Sequence, residues 1–137
     1  MSKYSDDEWN AMVELLTYVA AADRRTIGET DVEVWLDAAV DGQWPSMEAA
    51  QRAVRVHRSE QPGKWLEPGH VTQVLARVRR EASASYRPPM DRDIPHEVLN
   101  DPAAYQAHMR DAAARHQTQV MTAFASGRQQ LAIEAAS

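Results

Sequence analysis

The feature that most restricts the fold is an apolar stripe near the N-terminus. Trp9, Met12, Val13, Leu16 and Ala20 fall at i, i+3, i+4, i+7 and i+11, and Leu15 and Val19 widen the band. This spacing follows the 3.6-residue period of an α-helix that buries one face. Asp6 or Asp7 is suited to cap the first turn, whose N–H groups lack intrahelical acceptors. The polar turn Asp23-Arg24-Arg25 should end the helix near Ala22.

The same period recurs three times. Thr30 and Asp31 open a second helix with Val32, Trp35, Leu36 and Ala39 on its apolar side, and Gly42 suits a left-handed C-terminal cap. Trp44-Pro45 leads to Ser46, a cap for a third helix bearing Met47, Ala50, Ala53, Val54 and His57 on one face. Glu60-Gln61-Pro62-Gly63 breaks that helix. A fourth starts at Pro68, which loses no useful hydrogen bond at a first helical position, and carries Val71, Val74, Leu75 and Val78. Helices of this length are not stable alone in water, so their stripes must cover one another. The expectation is an all-α chain whose residues 1–85 form a four-helix bundle. Trp9, Trp35 and at least one of Trp44 and Trp65 should help fill its core.

Prolines 88, 89, 95 and 102 mark residues 86–101 as a linker with one short turn at 94–99. Asp101-Pro102 then opens a long amphipathic helix in residues 102–137. Tyr105, Met109, Ala112, Ala113, His116, Val120 and Phe124 share one side of it, Gly127 interrupts it, and residues 129–136 suit a final turn or two. There is no internal repeat.

Composition removes several function classes. The chain has no cysteine, which excludes a disulfide scaffold and a Cys-ligated zinc site. The N-terminal MSKYSDDEW lacks an apolar signal core, and no run approaches the roughly 20 apolar residues of a membrane span. A cytoplasmic protein with no membrane contact is expected. Net charge is −5, unevenly distributed: residues 1–45 sum to −7, residues 46–87 to +4 and the remainder to −2. A locally basic surface on an acidic protein follows from such segregation.

Catalytic patterns are missing from the sequence. None of the five histidines pairs at i, i+4 and no H-E-x-x-H occurs, so no metal site is expected, and His57 reads as a core histidine. The serines stand at caps and in the linker without a glycine-flanked elbow. No glycine-rich loop is present to cradle a phosphate. Asp23, Glu29 and Asp31 could meet across the turn before the second helix, with nothing nearby to shift one of them. A non-enzymatic protein without a cofactor is the expectation.

Two surfaces carry positive content. Arg52, Arg55, Arg58, Lys64, His70, Arg77, Arg79 and Arg80 fall on or between the third and fourth helices and form a candidate nucleic-acid surface. A helix-turn-helix arrangement would place Gly69, His70, Thr72 and Gln73 against bases. Its connection, residues 60–67, is longer than the usual turn of about 3–4 residues. The competing reading is a solvated basic face, with arginines drawn to helix ends by the dipole. The second surface is the stripe Tyr105, Met109, His116, Val120 and Phe124, a candidate partner-binding face. It can pack back on the bundle, form a homodimer with a second copy, or lie in a partner's groove.

From residue 21 to residue 80 one pattern runs through the chain. It reads Asp23-Arg24-Arg25, Asp31-Val32-x-x-Trp35, Ala49-Ala50-x-x-Ala53-Val54-x-x-His57, Trp65-Leu66-x-Pro68-Gly69-His70-Val71 and Arg77-x-x-Arg80. It resembles small proteins of actinobacterial phages and prophages that occur among replication genes. More distantly, it is similar to the N-terminal helical domain of phage helicase-loader and replisome-organiser proteins. The resemblance implies a helical adaptor that helps load a replicative helicase or organises an origin complex, with the helicase or an initiator as its partner. The alternatives are a helix-turn-helix-like DNA-binding regulator, and a phage protein that redirects a host protein through its last helix.

Overall fold

The computed structural model describes residues 3–127. Every regular element among them is helical: α1 (Asp6–Asp23), α2 (Glu29–Asp41), α3 (Met47–Glu60), α4 (Pro68–Ser85), α5 (His96–Leu99) and α6 (Pro102–Ala125), with a 3-10 turn at Asp91–Asp93. None of the helices is long and apolar enough to cross a membrane.

Local chemistry explains where the helices start, and in two places it corrects the sequence reading. The cap of α1 is Ser5, not Asp6 or Asp7. Its hydroxyl accepts the Glu8 N–H at 3.1 Å while the Glu8 carboxylate accepts the Ser5 N–H at 3.0 Å. This reciprocal box leaves Asp6, Asp7 and Glu8 in the first turn, where the positive end of the helix dipole favours them. Helix α2 begins at Glu29 with Gly28 as its cap, and the Asp31 carboxylate accepts the Gly28 N–H at 2.9 Å. That bond ties Asp31 to its own helix terminus.

Gly42 departs from expectation. Its φ is −84°, an ordinary right-handed value, and the next residue, Gln43, takes the positive φ of 54°. Glycine serves closeness here. A Cβ at Gly42 would lie 2.5 Å from the Thr72 hydroxyl of α4. Ser46 caps α3 as expected, accepting the Ala49 N–H at 3.1 Å.

Helices α3 and α4 form the middle of the molecule. Helix α1 packs on α2 and α3, α2 packs on α4, and α6 packs on both α3 and α4. The burial of α3 shows why two neighbours suit it. Ala50, Val54 and His57 form one buried stripe, and Ala49, Ala53 and Val56 form a second. Both run at i, i+4, i+7, the spacing of one helix face. Small alanines permit close approach on either side.

The tryptophans divide as expected. Trp35 is buried, and Trp44 meets it edge-to-face with ring centroids 6.2 Å apart. The Trp44 indole N–H donates to the Thr72 hydroxyl at 2.9 Å, pinning the α2–α3 connection to α4. Trp9 is partly buried against the same cluster, whereas Trp65 is 55% exposed.

The last helix does not stand apart from the bundle. Asp101 caps it by accepting the Ala103 and Ala104 N–H groups. Near its other end, Met121 and Phe124 lie in the same apolar cluster as Leu16, Val54 and Leu75, and Phe124 is fully buried. Residues 86–101 contribute as well, through the buried Ile94 and through α5, which packs on α6. The bundle therefore includes its expected arm. Two buried stripes on α3 are consistent with this, since α3 packs on α1, α4 and α6. The final turn expected at residues 129–136 lies outside the described residues.

Candidate nucleic-acid interface

A cleft of about 820 Å³ opens where the C-terminal end of α3 meets the N-terminal half of α4. His57 and Glu60 come from α3, Lys64 and Trp65 from the connection, and His70, Gln73, Arg77 and Arg80 from α4. The break at Pro62-Gly63, with Gly63 at φ +79°, turns the chain so that the connection forms one rim. Pro68 then starts α4.

Four of the eight predicted nucleic-acid residues, Lys64, His70, Arg77 and Arg80, thus share one cleft. The others do not join them. Arg58 donates to the Val19 carbonyl at 3.0 Å and to Asp23 at 3.5 Å. Helix α1 has no base in its own last turn, and Arg58 supplies one from α3. Arg79 donates to the carbonyls of Gly42 and Gln43, just past the end of α2. Both arginines are engaged by helix ends, the competing reading of the basic face. Arg52 lies 6.0 Å from the Phe124 ring centre, and it shares a separate groove with Arg55 beside the end of α6.

Within the cleft, Arg77 pairs with Glu60 at 2.7 Å. Lys64 and Arg80 are exposed. His57 and His70 stack with centroids 4.3 Å apart and planes 11° from parallel. His70 Nδ1 accepts the Glu67 N–H at 2.9 Å, so this ring doubles as an N-terminal cap for α4. His57 is only 9% exposed, and its Nε2 has no hydrogen-bond partner. Burial first, then the neighbouring His70, hold His57 below the ordinary histidine pKa, with Arg77 and Arg58 acting the same way and Glu60 opposing.

Trp65 is the residue that sequence reasoning missed. At least one of Trp44 and Trp65 was expected in the core; Trp44 takes that place, and Trp65 lines the cleft instead. The Arg25 guanidinium lies 3.9 Å from its ring centre. Arg25 in turn donates to Asp23 at 2.5 Å and to the Leu66 carbonyl at 2.7 Å. Asp23 also receives Arg58 and the Leu66 N–H, at 3.5 and 3.4 Å. This carboxylate binds α1, α3 and the connection together and does not meet Asp31. The Asp23-x-Arg25 and Trp65-Leu66 pairs were the only sequence signal of this arrangement.

Two of the four residues that a helix-turn-helix would turn to bases are engaged within the chain, while Gly69 and Gln73 are exposed. Thr72 accepts the Trp44 N–H and faces Gly42, while His70 is stacked and capping. On α6, His116 Nε2 lies 3.0 Å from the Ser85 hydroxyl and its ring centre 5.5 Å from that of Tyr86. Phe124 is buried and Val120 packs on the core, whereas Tyr105 and Met109 are half-buried. The expected partner-binding stripe therefore packs largely within the chain. Compared with protein-family models, curated proteins and solved structures, the chain matches none.

Proposed function

We propose that this chain is a non-catalytic accessory protein of phage DNA replication, an adaptor of the helicase-loader type that joins a replicative helicase or initiator to nucleic acid. The observation that carries the nucleic-acid half is the α3–α4 cleft, which Lys64, Arg77 and Arg80 line together with an exposed tryptophan. The replication context rests on the resemblance of residues 21–80. It is supported further by the charge division: the acidic first 45 residues repel a phosphate backbone and leave α1 and α2 available to a protein.

Purified chain mixed with a replicative helicase from an actinobacterial host tests the reading. Co-elution on size exclusion, lost at high salt, is the expected result. No complex with helicase or initiator, together with no binding to any nucleic acid, overturns it. The duplex-regulator alternative is disfavoured by the engagement of Thr72 and His70, and host redirection through α6 by the burial of Phe124.

A further inference from the structure

We infer that the α3–α4 cleft holds single-stranded nucleic acid, with a base stacked on the open face of Trp65 and its flanking phosphates on Lys64 and Arg80. The inference rests on the adaptor reading and names the form of nucleic acid that the adaptor takes.

Trp65 is the starting point. The residue is 55% exposed, although each of the other three tryptophans is at least partly buried. The Arg25 guanidinium, 3.9 Å from the ring centre, covers one face, which leaves the opposite face for a base. Arg25 is itself fixed by Asp23 and the Leu66 carbonyl, which holds the indole in place before any ligand arrives. A rigid aromatic face beside cations is the arrangement that binds unpaired bases without regard to sequence.

Charge agrees. Lys64, Arg77 and Arg80 against Glu60 leave the cleft positive, and Lys64 and Arg80 project from it into solvent. The buried Nε2 of His57, on the cleft wall, lacks a partner, and buried nitrogens are ordinarily satisfied. A volume of about 820 Å³ admits a nucleotide. Duplex fits poorly, because its base faces are covered by their neighbours and cannot reach an indole. An acidic peptide would satisfy the cations but would have no use for Trp65.

The test is fluorescence anisotropy of a labelled 15-mer of deoxythymidine with the intact chain at 50 and 200 mM salt. Trp65→Ala should weaken binding about tenfold, as expected for loss of one stacked base, and Trp65→Phe should restore most of it. Lys64→Ala with Arg80→Ala should lower the slope of log K against log salt by about 1.4, two phosphates' worth on a single strand. Circular dichroism checks that each variant folds; if Trp65→Ala does not, the Phe and Lys64/Arg80 variants decide. The inference is overturned if duplex of equal length binds as tightly, if polyglutamate displaces the strand at equal charge, or if none of the variants alters binding. A chain that captures the helicase but ignores the 15-mer would refute this site and spare the adaptor reading.

Discussion

The imidazole of His57 lies flat against that of His70, 4.3 Å between ring centres, in a wall where Glu60 opposes Arg77 and Arg58. Burial, and next His70 itself, lower the folded pKa of His57 below the ordinary 6.5. An unfolded chain therefore binds this proton more readily than the folded one, and stability rises with pH. The contribution is intact above pH 6.5 and declines as pH falls through that value toward the lower folded pKa. Melting temperature should drop between pH 7.5 and 5.5, with a shallower drop in His57→Gln. Glu8, held low by the Ser5 N–H and hydroxyl, and Asp37, held low by Lys3 and Tyr4, act only below their ordinary values of 4.5 and 3.8. An identical slope in the variant would remove His57 from the account.

Phe124→Ala tests whether α6 belongs to the core. The side chain is fully buried with Met121 against α3 and α4. Truncation should cost about 3–5 kcal/mol in urea unfolding. Met109→Ala, at a half-buried position on the same helix, should cost about 1 kcal/mol. A chain ending at residue 100 should melt well below the full chain. Equal stability of the two chains would return α6 to the role of a detached arm.

Five of the helices were legible because each has a periodic apolar stripe, a cap or a first-position proline, and these are local signals. Ser46 and Asp101 act as caps because nothing competes for them. What was illegible depended on neighbours. The second buried stripe of α3 looked like a scatter of alanines, although Ala49, Ala53 and Val56 already carried its spacing, and α3 in fact has α1, α4 and α6 as neighbours. Gly42 reads as a left-handed cap, and its real constraint shows only when Thr72 comes within 2.5 Å of its missing Cβ. Among the eight candidate bases, composition could not separate Arg80 from Arg79, one residue apart. Their directions differ by about 100° around α4, which sends Arg79 to the end of α2 and Arg80 to the cleft.

Asp23 should be the most sensitive surface-adjacent acid in the chain. Its side chain is 9% exposed and meets Arg25, Arg58 and the Leu66 N–H. Replacement by Ala leaves two largely buried guanidinium groups with carbonyls but no carboxylate and should cost about 3 kcal/mol. Glu33→Ala, on the exposed side of α2, should stay within about 0.5 kcal/mol. Chemical denaturation of both variants makes the comparison, and similar small losses would show that the Asp23 network is solvated.

Gly42→Ala separates closeness from backbone strain. At φ −84° any residue is tolerated, so the backbone has no reason to object. The new methyl would instead meet the Thr72 hydroxyl at 2.5 Å, with the Ala38 carbonyl and the Trp44 indole nitrogen each at 3.0 Å. Overpacking of this kind should cost about 1–3 kcal/mol. Thr72→Ala removes the nearest atom, at the expense of the bond from Trp44, so adding Gly42→Ala in that background should cost about 1 kcal/mol less. A double-mutant cycle from urea unfolding measures the difference. Equal costs in the two backgrounds would shift the conflict from Thr72 to the Ala38 carbonyl, within α2 itself.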